Sequence, residues 1–153
     1  LGTKEAPAII ENVYQVIQSF EGEVVFTRDT HFENYADTQE GKKLPIPHCI
    51  KGTNGWQINS KLKNLIKPET KIFDKITFGS TELTEYLKNN KELEKVTLAG
   101  LCTDICIISN ALLIKANLPE VEIEVLENCC AGVTPESHIN ALNAMKMCQI
   151  SVK

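Results

Sequence analysis

The sequence predicts a three-layer α/β/α fold with a mostly parallel central sheet. Two observations carry this. Apolar, β-branched runs at 24–26, 71–74, 96–99 and 121–126 alternate with segments of helical apolar period, the signature of strands joined by crossover helices. Polar, chemistry-bearing residues then collect just after those runs, where parallel α/β proteins gather their ligands.

The elements follow in order. Pro7 opens a helix whose apolar positions are Ile10, Val13, Val16, Ile17 and Phe20. Gly22 ends it, and Glu23 to Thr27 reads as a strand. Residues 32–55 read as a long loop, rich in Gly, Pro, Asn and Asp, of the kind that often carries function. Residues 56–66 suit a short helix stopped near Pro68, and Lys71 to Asp74 a strand. Ser80 or Thr81 can cap a helix with Leu83, Tyr86 and Leu87 inward. Residues 96–99 form a strand ended by Gly100. Thr103 or Asp104 can cap the next helix, which places Cys106 in its first turn and runs to about Ala116. Val121, Ile123 and Val125 alternate with glutamates, which predicts a half-exposed strand near the sheet edge. Residues 127–132 read as a loop. Thr134-Pro135-Glu136 begins a helix with Ala141, Leu142, Met145 and Met147 as its core, and 148–152 closes with a short strand. His138 reads as a surface or packing residue of that helix.

The 153 residues suffice for one domain, 1–153, with a real core. The formal charge is −4 and Arg28 is the one arginine among 16 basic residues. No basic cluster supports nucleic-acid binding, and no stretch suits a membrane span or a signal peptide, so the expected location is cytoplasmic. Cysteines at 49, 102, 106, 129, 130 and 148 read as free thiols. No G-x-G-x-x-G, P-loop lysine pattern or G-x-S-x-G is present. Leu1-Gly2-Thr3 reads as loop interior, so a strand is expected ahead of Leu1.

Several residues point to chemistry. Cys106 is expected among open helix amides, which favour the thiolate and can hold an oxyanion. Asp29 and His31, two apart in extended chain, share a face. His48, in a proline-flanked loop, offers a third ligand. Two imidazoles and one carboxylate suit zinc, iron or manganese. Lys75 follows a strand, and its partial burial is expected to lower its pKa.

Taken together, these residues resemble the isochorismatase-like cysteine hydrolases, closest to the nicotinamidases, over nearly the whole chain. Gly100-Leu101-Cys102-Thr103-Asp104-Ile105-Cys106 is similar to the family's nucleophile motif, and Lys75 before Phe78-Gly79-Ser80-Thr81 to its catalytic lysine. Asp29, His31 and His48 match the metal site in type, order and spacing. The resemblance implies a Rossmann-like hydrolase fold and hydrolysis of a small amide to an acid and ammonia, with nicotinamide the substrate and NAD salvage the setting. Cys106 would be the nucleophile, Lys75 would steady its thiolate, and the amides of Cys102 and Cys106 would form an oxyanion hole beside a cis Leu101–Cys102 peptide. A divalent metal, zinc before iron or manganese, would orient the substrate. Phe32, Trp56 and Leu101 would border the substrate pocket, and a homo-oligomer is the expected assembly. The family's general-base aspartate lies on a first strand expected upstream of Leu1. Pro45 stands where many nicotinamidases carry an aromatic residue. Another amide substrate of the same cysteine, or a silent relative with a binding or assembly role, stays open.

Overall fold

The computed structural model describes residues 3–153. Helix α1 (Ala6–Ser19) begins at Pro7 and leads to strand β1 (Phe26–Asp29). A 3-10 turn, Tyr35–Asp37, and α2 (Gln39–Lys43) lie within the expected loop. A second 3-10 turn, Asn54–Trp56, precedes α3 (Ser60–Lys63) and β2 (Ile72–Lys75). Then come α4 (Thr81–Asn89), β3 (Lys95–Leu101), a π-helical turn (Thr103–Ile107) and α5 (Ile108–Asn117). Strand β4 (Glu122–Ala131), α6 (Pro135–Met147) and β5 (Ser151–Val152) complete the fold.

All strand pairings are parallel. Among the described residues they form two hydrogen-bonded sets, β1–β2 and β3–β4–β5. The strand expected ahead of Leu1 lies outside the described residues. The two faces of β4 explain the layers. Cys129 and Ala131 pack with Ile9 and Val13 of α1, and Leu126 joins that cluster. Ile123, Val125 and Cys130 pack with Leu83 and Leu87 of α4, Ala111 and Ile114 of α5, and Leu142 and Met145 of α6. Val25 and Phe73 also pack against this second cluster, which ties the β1–β2 pair to the rest. Helices thus cover both faces of a parallel sheet, as expected.

Several expectations need correction. The first strand lies at 26–29, not 23–27, because its pairing with β2 carries it out to Asp29, opposite Lys75. Only Ser60–Lys63 of 56–66 is α-helical. Strand β4 lies between β3 and the two-residue edge strand β5, near the sheet edge as expected, but 123–125 are buried rather than half-exposed, and the strand continues through 127–131 of the expected loop 127–132 by pairing Gly100 with Cys130 and Leu101 with Ala131 after a register shift. Glu124 is accordingly buried. It accepts from Thr97 Oγ1 at 2.9 Å and lies 2.7 Å from Lys95 Nζ and 3.1 Å from Lys153 Nζ, so the buried charge is paired. Met147, two residues past the buried Met145, faces solvent at 86% exposure, and Phe20 lies beyond the end of α1.

The side chain of Ile114 is wholly buried in the larger cluster. Ile114→Ala should lower unfolding free energy by about 2–5 kcal/mol, read from the urea midpoint at unchanged slope.

Candidate active site and metal centre

The carboxyl end of β1 carries the first cluster. Asp29 and His31 alternate on one face of the extended chain. Beyond the strand, His31 N–H donates to the Cys49 carbonyl (3.0 Å) and Lys51 N–H to the His31 carbonyl (2.9 Å). This bridge draws the His48 loop against His31. Helix α2 supplies a fourth donor. Thr38 Oγ1 caps it by accepting from Gly41 N–H at 3.0 Å. A Cβ at Gly41 would stand 2.0 Å from the Tyr35 carbonyl oxygen, so only glycine lets α2 pack this closely. Glu40 is thereby turned toward the histidines.

The four ligand atoms lie within 4.8 Å of one another. His31 Nε2 is 3.4 Å from Asp29 Oδ2 and 3.5 Å from Glu40 Oε1, and His48 Nε2 is 3.8 Å and 3.3 Å from the same oxygens. Tyr35 sets its ring edgewise to both imidazoles and anchors its hydroxyl on the Leu44 carbonyl. His48 Nδ1 lies 2.9 Å from the Ile46 carbonyl, a contact that orients the ring with Nε2 toward Asp29 and Glu40. His31 Nε2 is buried with no hydrogen-bond partner. A buried orphan nitrogen facing two carboxylates and a second imidazole fits a divalent metal, and the donor set suits zinc, iron or manganese.

The second cluster adjoins the first. Lys75 Nζ donates to Asp29 Oδ1 (3.0 Å), to the Thr77 carbonyl (3.2 Å) and to Cys106 Sγ (3.4 Å). Cys106 sits in the π-helical turn. The Cys102 carbonyl accepts from the amides of Ile105 (3.1 Å) and Ile107 (3.0 Å). The Leu101–Cys102 peptide is cis, and Gly100 before it has φ +126°, a conformation that favours glycine. Thr103 and Asp104 do not cap this turn. Thr103 Oγ1 pairs with His138 Nδ1 at 2.8 Å, and Asp104 accepts from Val133 N–H at 3.1 Å. Thr103 is thereby drawn to α6 and Asp104 to the β4–α6 connection.

Two expected pKa directions reverse. Burial opposes the charge on Lys75, but the Cys106 thiolate and the Asp29 carboxylate outweigh it and hold the lysine above its ordinary value. Burial pushes the Cys106 thiol up, against the pull of Lys75 and the Cys102 backbone N–H. Burial also pushes Cys102 up to about 11 and Cys130 up to about 12.

The family model for the isochorismatase domain matches residues 1–152. The chain belongs to the isochorismatase family. An uncharacterized isochorismatase family protein, PncA, of Bacillus subtilis (strain 168) is 31% identical over 128 residues, which is 78% of this chain and 68% of that protein. Among solved structures, the pyrazinamidase/nicotinamidase from Streptococcus mutans UA159 superposes with a TM-score of 0.85 at 28% identity, covering 98% of this chain and 87% of that one. The nicotinamidase/pyrazinamidase PncA from Bacillus subtilis gives 0.84 at 26%, covering 97% and 86%.

In this isochorismatase-family chain, Asp29, His31, His48, Lys75 and Cys106 come together. Glu40 joins them although the sequence reading missed it; its signal was a carboxylate behind a capping threonine, midway between the two histidines. Phe32 and Leu101 are exposed at 51% and 43%. The guanidinium of Arg28 lies 3.5 Å over the Trp56 ring, and the indole Nε1–H donates to Thr30 Oγ1 at 2.9 Å.

Glu40→Gln and His31→Ala should each weaken zinc retention roughly tenfold or more, read by elemental analysis after dialysis against graded chelator. Lys75→Met removes the cation that favours the Cys106 thiolate. The pH at which Cys106 is half-alkylated by iodoacetamide should therefore move further up, and its rate at neutral pH should fall.

Proposed function

We propose that this chain is a cysteine amidohydrolase that cleaves nicotinamide to nicotinate and ammonia, a step of NAD salvage. One observation carries the reading. Cys106 Sγ lies 3.4 Å from Lys75 Nζ, and Lys75 holds Asp29, itself part of the four-donor cluster. A nucleophile and an anchoring centre thus meet at one carboxylate. The likeness to solved structures described as nicotinamidases and pyrazinamidases supports the choice of substrate.

The chemistry follows from these residues. Once its proton leaves, Lys75 steadies the Cys106 thiolate, whose sulfur attacks the carboxamide carbon. The resemblance assigns the oxyanion formed beside that sulfur to the backbone amides of Cys102 and Cys106. The carbon–nitrogen bond breaks as the amine takes up the proton the thiol gave, and ammonia leaves. Water then adds to the thioester, the carbon–sulfur bond breaks, and the acid departs with Cys106 restored. Asp29, His31, Glu40 and His48 would hold a divalent ion, zinc before iron or manganese, which supplies a Lewis-acid anchor for a ring nitrogen.

Cys106→Ala should abolish ammonia release from nicotinamide while circular dichroism and zinc content stay unchanged; retained turnover would remove the nucleophile assignment. Benzamide, which lacks the ring nitrogen, should be hydrolysed far more slowly than nicotinamide. Equal rates would remove the anchoring role.

A further inference from the structure

The polar side chain that frames the nucleophile is one the chemistry above does not use. Helix α5 and the turn before it are apolar around Asn110, with Ile107, Ala111 and Ile114 buried in the core. Asn110 is itself 4% exposed. Burying an amide among such neighbours is costly unless its groups are bonded. Here they are: Nδ2 donates to the Cys106 carbonyl at 2.7 Å and to the Phe78 carbonyl at 3.0 Å, and Oδ1 accepts from Ser80 N–H at 2.9 Å.

The two things it joins are the two sides of the reactive pair. One is the backbone of Cys106. The other is the 76–80 connection that follows Lys75, whose Thr77 carbonyl accepts from Lys75 Nζ at 3.2 Å. Ser80 then caps α4 by accepting from Leu83 N–H. We infer that Asn110 is a positioning residue that locks the Cys106 turn to the Lys75 connection and so maintains the sulfur–ammonium contact. The inference rests on the reading of Cys106 as the nucleophile. A role confined to stapling α5 to α4 would alter stability and leave the chemistry of Cys106 unchanged.

The test compares Asn110→Ala and Asn110→Asp with the unsubstituted protein. The aspartate keeps the size of the side chain and an acceptor for Ser80 but loses both donors. Asn117→Ala is the control, since Asn117 Nδ2 also reaches back to a carbonyl four residues earlier, that of Leu113, at the exposed end of α5. Iodoacetamide modification at Cys106 is followed by tandem mass spectrometry at pH 7.5. The expected result is a roughly tenfold slower modification in whichever Asn110 variant folds cooperatively. The kcat on nicotinamide should fall by about 10- to 100-fold with KM within about twofold, and Asn117→Ala should match the unsubstituted protein. A Cys106 modification rate at the unsubstituted level in either folded Asn110 variant overturns the inference. Modification needs no substrate, so the two readings separate: a protein that releases no ammonia yet shows the tenfold difference loses the nicotinamide reading and keeps this one.

Discussion

The Asp29 carboxylate belongs to two assemblies at once. Oδ1 accepts from Lys75, and Oδ2 faces both imidazoles. The Lys75 side chain is 5% exposed, and a cation so buried persists only with partners. Asp29 and Cys106 are those partners, and their charges are what raise rather than lower its pKa. The parallel pairing that sets Asp29 opposite Lys75 makes this possible. A slip of one residue in β1 would turn Asp29 to the other face and leave the lysine buried beside Arg28.

The same constraint separates one thiol from the rest. Burial raises the pKa of Cys49, Cys102, Cys106, Cys129 and Cys130 alike. Of these, Cys106 has an ammonium within hydrogen-bond reach, Lys75 Nζ at 3.4 Å from its sulfur. Electrostatic partners, not helix position, make it distinctive. A helix-terminus field acts on any first-turn residue, whereas Lys75 acts on the sulfur it touches.

Around this centre the supports are rigid and mostly unrelated in sequence. Tyr35 braces both histidines, Gly41 admits α2, and the Thr103–His138 and Asp104–Val133 contacts tie the Cys106 turn to α6 and to the connection before it. The Thr103–His138 bond satisfies a hydroxyl that burial would otherwise leave unpaired.

Asp29, His31, His48, Lys75 and Cys106 stood out as candidates by local rules (alternation along extended chain, a turn after Gly100, polar residues after apolar runs), and the family resemblance, not those rules, gave them roles. The layered parallel fold was readable by local rules as well. Glu40 was not, since its donor position depends on α2 packing against Tyr35 through Gly41. The burial of β4 was not, since alternating glutamates look exposed until Lys95, Lys153 and Thr97 are brought to Glu124. The pKa directions were not, because each is a balance set by packing: on Lys75, charges from 31 and 46 residues away outweigh burial, and on Cys106, burial outweighs the lysine. Periodicity along one chain determines which face a side chain takes; only the packing of distant segments decides what that face meets.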